Sequence, residues 1–101
     1  MVYIYLDDVR EAPSGYMKTK SVNETKLLIE TLEEYGHSDF IIDIDHDLGD
    51  YANDGGDGYR LVLWLIETGR NNSHWRIKCH SANPVGKEHI EGLVKRYWKG
   101  E

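Results

Sequence analysis

The sequence has a single cysteine, two prolines and one phenylalanine among 101 residues. One thiol, Cys79, excludes an internal disulfide and fits a reducing compartment, where a free cysteine ordinarily serves as a small buried apolar residue. Long apolar runs are also missing. The longest, Leu61 to Ile66, falls far short of the roughly 20 residues a membrane span requires, and Met1 leads directly into strand-like sequence rather than a signal peptide. A cytoplasmic protein with no membrane partner is expected. Basic residues are in deficit, twelve against eighteen acidic ones for a formal charge of −6, which opposes an extended nucleic-acid groove. Lys87, Lys95, Arg96 and Lys99 read as a solvated helix face, and nothing in the composition singles out a protein partner. What remains is 40% apolar and 11% aromatic, enough for one core in a single domain over residues 1–101.

Val2 to Leu6 is a β-branched and aromatic run that stops at Asp7-Asp8, as a buried strand entering a polar loop does. Pro13 and Gly15 make residues 9–15 a loop, and Tyr16 to Lys20 is a weak strand of undetermined direction. Ser21-Val22-Asn23-Glu24 has the form of a capping box, opening a helix that carries Leu28, Leu32 and Tyr35 at helical spacing and ends at Gly36. Phe40 to Ile44 reads as a central strand covered on both faces. The loop from Leu48 to Gly58 is followed by a helix to about Thr68, with Asp57 as its cap. Trp75 to Cys79 is a fourth strand. Asn83-Pro84 then opens a last helix with Val85, Ile90, Leu93, Val94 and Tyr97 as expected core contacts. This alternation predicts an α/β fold with a mostly parallel four-stranded sheet flanked by helices.

Three polar clusters each follow a strand: Asp7-Asp8, Asp45-His46-Asp47 and His80-Ser81-Ala82-Asn83. Parallel strands bring such ends together, and ligands of open α/β sheets bind there. Asp7, Asp8, Asp45 and Asp47 are hard oxygen donors, suited to a divalent cation, Mg²⁺ or Mn²⁺. His46 and His80 are expected to move protons near neutral pH, with Asp45 beside them, while Arg10, Ser81 and Asn83 hold a phosphate group. Asp50 to Gly58 does not fit a calcium loop, because Ala52 and Leu61 stand where ligands are required. His37, His74 and His89 are expected on the surface without convergent polar company.

Ile4-Tyr5-Leu6-Asp7-Asp8, Ile44-Asp45 and Ile77 to Ala82 resemble the receiver domains of response regulators, which implies a flavodoxin-like fold. In receivers the first acidic pair binds magnesium, the aspartate after strand 3 accepts phosphate, and a serine or threonine after strand 4 contacts the phosphoryl group. Asp7, Asp8, Asp45 and Ser81 match those positions. The first receiver helix has no room, and the fifth strand with its lysine is missing, so the receiver is truncated and a lasting aspartyl phosphate is not expected. Leu6-Asp7-Asp8-Val9-Arg10, Asp45 to Asp50 and His80 to Gly86 resemble more particularly the cyclic-phosphate processing receiver domains. That resemblance implies a phosphoesterase acting on a cyclic phosphate ester, at an RNA terminus or on a cyclic nucleotide. The other readings are a signalling receiver that accepts phosphate on Asp45 and a noncatalytic binding module.

Overall fold

The computed structural model describes residues 1–100. The strands are β1 (Val2–Leu6), β2 (Met17–Thr19), β3 (Phe40–Ile44) and β4 (Trp75–Cys79), and the helices are α1 (Val22–Glu34), α2 (Gly58–Glu67) and α3 (Pro84–Tyr97). The loop before α2 contains a short 3₁₀ turn, Gly49–Asn53. The strands lie in the order β2-β1-β3-β4 and every pair is parallel, which settles the direction of β2.

Side chains alternate across each strand, so each strand contributes to two surfaces. Val2, Ile4 and Leu6 of β1 and Phe40, Ile42 and Ile44 of β3 join Val22 and Ile29 of α1, Leu61, Val62 and Leu65 of α2, and Ile90 of α3 in one core. Phe40 stacks on Trp75 there, 4.2 Å between ring centroids. The opposite surface carries Tyr3, Tyr5, Ile41, Asp43, Arg76 and Lys78, none of which belongs to that core. The connection from β1 to β2 returns along this side, with Tyr16 edge-on to Tyr3 and Tyr5. The helices therefore cover one face of the sheet, while a helix-free connection lies against β1 on the other.

The caps show local sequence acting as expected, with two exceptions. Ser21 Oγ accepts from the Glu24 N–H, but Glu24 accepts from the Lys20 N–H rather than that of Ser21. Asp57 makes no capping bond; its carboxylate accepts from the Leu48 N–H and closes the loop instead. Asn83 Oδ1 accepts from both Val85 and Gly86 N–H, and Pro84 occupies the first turn without a wasted donor. Of the expected core contacts of α3, Ile90 is buried and Leu93 and Val94 pack against the core, but Val85 is exposed. At about 100° per residue, Val85 lies roughly 140° round the helix from Ile90, whereas Gly86 lies on the same side. Tyr97 is also exposed, as the last turn is closed by Trp98, whose indole N–H donates to the Trp75 carbonyl. Tyr35, beyond the last turn of α1, is exposed too.

Candidate functional site

The C-terminal ends of β1, β3 and β4 bring Asp7, Asp45 and His80 together, with one donor atom of each within 4.8 Å of the others. Asp7 is 1% exposed. Its Oδ1 accepts from the Val9 and Arg10 N–H groups, both at 2.8 Å, and its Oδ2 accepts from His80 Nε2 at 2.8 Å. His80 Nδ1 is 2.7 Å from Asp43 Oδ1, and the ring lies flat on Tyr5 at 4.3 Å. Two carboxylates, one at each ring nitrogen, are the partners of an imidazolium. Burial alone pushes the His80 pKa down, but bonds and charges from Asp43 and Asp7 outweigh it and the pKa is raised. Burial likewise works against the Asp7 anion, yet its two backbone donors and His80 hold its pKa below the usual carboxylate range.

Asp45 has the opposite balance. Burial, then the neighbouring Asp7 charge, push its pKa up against partial relief from His80 and the Ser81 hydroxyl. Ser81 Oγ also accepts from the Asn83 N–H, which fixes the turn into α3. Arg10 is exposed and reaches over this group, its Nη1 3.5 Å from the His80 carbonyl. Asp8 does not join the Asp7–Asp45–His80 group; its carboxylate lies against Gly49, where a Cβ would stand 2.7 Å from Oδ2.

His46 and Asp47 belong to a second arrangement. His46 Nδ1 is 2.7 Å from Asp47 Oδ1, and Asn83 Nδ2 donates to the same carboxylate at 3.2 and 3.4 Å. Asp47 bonds pull its pKa down, chiefly that from His46. The imidazole stacks beside Tyr59 and is closed in by the first turn of α3, where a Cβ on Gly86 would come within 2.4 Å of its Cγ. His46 Nε2 has no protein partner among the described residues. Asp57 approaches His46 and Asp47, and His89 packs on Tyr59 with its centroid 6.5 Å from that of His46. Thus His89, expected to stand apart on the surface, borders this group although it is exposed. His74 also has a partner, Asp39, at 2.8 Å.

The chain matches the model of the cyclic-phosphate processing receiver domain over residues 2–96. It belongs to that family. No curated protein and no solved structure matches it. In this cyclic-phosphate processing receiver domain all three motifs fall at strand ends on one side of the sheet, but they form two hydrogen-bonded groups rather than one. Asp43 and Tyr5 were missed in the sequence. A charged residue inside an apolar strand was the available signal for Asp43, since a buried carboxylate requires a partner. No described helix is long and apolar enough to cross a membrane.

The acidic group fits a hard divalent cation. Asp7 and Asp45 supply oxygen donors close together, burial and then the Asp7 charge raise the Asp45 pKa, and both His80 nitrogens are already engaged. Accordingly, Mg²⁺ at about 10 mM, held with a Kd of about 1 mM, should add about 1.4 kcal/mol and raise Tm by several degrees. Asp45→Asn should remove most of that shift. Calorimetry with and without EDTA checks it, and an unchanged Tm argues against the ion.

Proposed function

We propose that this domain opens a cyclic phosphate ester by metal-assisted hydrolysis, at an RNA terminus or on a cyclic nucleotide. The observation that carries the reading is the orientation of His46, with Asp47 on Nδ1, Asn83 behind Asp47, and Nε2 left open. Asp47 fixes the tautomer in which Nε2 is the base, as a carboxylate does for a catalytic imidazole. Nε2 takes a proton from water as its oxygen bonds to phosphorus. One ring P–O bond breaks, the proton passes to the departing oxygen, and the product is a phosphomonoester. Asp7 and Asp45 would hold Mg²⁺ or Mn²⁺, with Asp8 turned towards Gly49, and the ion would neutralise phosphate oxygens and lower the pKa of water. In this reading His80, expected from sequence to share the proton transfer, is held between Asp43 and Asp7, which engage both of its ring nitrogens, and Arg10 and Ser81 position the phosphate. Asp47 and Asn83 also serve, in this reading, as positioning residues, Asp47 on the His46 ring and Asn83 on Asp47. A screen of cyclic and linear phosphate esters, with Mg²⁺ or EDTA, tests the reading. Conversion confined to cyclic esters supports it; binding without conversion indicates a noncatalytic module.

The contact between Ser81 and Asp45 favours a second reading, a phosphate-accepting receiver. The main charges acting on Asp45 come from Asp7 and His80, and among the described residues no lysine stands out beside it in the place of the one that steadies an aspartyl phosphate in receivers. Acetyl phosphate should therefore leave no lasting adduct by intact mass. A stable added phosphate that disappears in Asp45→Asn would establish the signalling reading.

A further inference from the structure

Among the described residues β4 is an edge strand, paired only with β3. The Phe40 N–H bonds to the His74 carbonyl and the His80 N–H to the Ile44 carbonyl, so even-numbered residues of β4 turn their backbone groups towards β3. Odd-numbered residues face outwards. Trp75 is satisfied by Asn72 and Trp98, which leaves Ile77 and Cys79 with outward N–H and C=O groups that have no partner among the described residues.

Beside this edge runs a groove between β4 and α3. One part, about 290 Å³, is lined by Ile77, Ile90 and Val94, and an adjoining hollow of about 510 Å³ continues past Val94 to Trp98. Lys78, Lys95, Arg76 and Lys99 border the two parts against a single acid, Glu91. This is a cationic rim on a chain of net charge −6.

We propose that the β4 edge binds an extended segment of a partner protein, with apolar residues at alternate positions and acidic residues between them. Backbone pairing to Ile77 and Cys79 supplies the register, and the apolar side chains enter the groove over Ile77 and Val94. The acidic ones lie on the opposite face of the added strand, beside Arg76 and Lys78. A second copy is the poorer occupant, because joining two β4 edges sets Arg76 and Lys78 against the same residues of the other copy.

The test uses capped peptides of alternating valine and glutamate, or of valine and lysine. By NMR, the glutamate peptide should slow amide exchange at Ile77 and Cys79 and shift Val94 and Trp98. The lysine peptide should bind about tenfold more weakly or worse. The double variant Arg76→Glu, Lys78→Glu, altered only at exposed positions, should reverse that order. No response to either peptide, or equal binding of both, overturns the proposal. Concentration-dependent dimerisation that protects Ile77 and Cys79 without peptide assigns the edge to a second copy and overturns it too.

Discussion

Replacing His46 with alanine should lower the turnover of a cyclic phosphate ester by about 10²–10⁴-fold, the usual contribution of positioned proton transfer. The fold should survive, because among the described residues the His46 side chain bonds only to the partly solvated Asp47, and its backbone bond from the Gly58 N–H is kept in the variant. Its ring does fill the space against Gly86, so some stability should be lost through packing. Rates must therefore be compared per folded molecule. Asp47→Asn should cost less than His46→Ala, because the imidazole remains but its tautomer is no longer enforced. Nitrogen chemical shifts of His46 read that change directly, even if no substrate is turned over. Full turnover in His46→Ala would remove His46 from the mechanism.

His80→Ala should have the largest effect on stability, about 3 kcal/mol, through two carboxylates left without their shared cation. Asp7 is almost fully buried and keeps only its two backbone donors, while Asp43 loses its imidazole partner. The pH dependence has a definite sign. A histidine whose folded pKa lies above its ordinary 6.5 stabilises the fold fully below that value, and the contribution disappears as pH rises through the raised pKa. Asp7, with a lowered pKa, contributes above the ordinary carboxylate value of 3.8 and ceases to do so as pH falls through its own. Wild-type stability should thus be greatest between these limits and decline on the alkaline side, whereas His80→Ala should lack that alkaline decline. Urea melts across pH 5–9 check this; parallel curves for the two proteins would show that His80 is not held as a cation.

Elements governed by neighbouring residues were legible in the sequence. Asn83-Pro84 caps α3 as its chemistry requires, and Ser21 caps α1. The strand-end rule is enough to bring Asp7, Asp45 and His80 together. What escaped depended on partners distant in sequence. Asp43 lies 37 residues from His80, and only the β3–β4 register puts its carboxylate under that ring. The division of the histidines between two networks was equally hidden, because His46 and Asp45 are adjacent in sequence yet their side chains join different groups. Val85 looked like a core residue from its type, whereas the close approach of α3 to His46 gives the inward position to Gly86.

Phosphorus NMR of a 2′,3′-cyclic nucleotide incubated with the purified domain tests the central claim most directly. With Mg²⁺, the cyclic-phosphate resonance should give way to that of a phosphomonoester at a rate proportional to protein. EDTA and Asp45→Ala should each suppress the conversion, and His46→Ala should slow it by the factor given above. A cyclic phosphate that remains intact with wild-type protein under every metal condition, or equal conversion by wild type and both variants, would contradict the account.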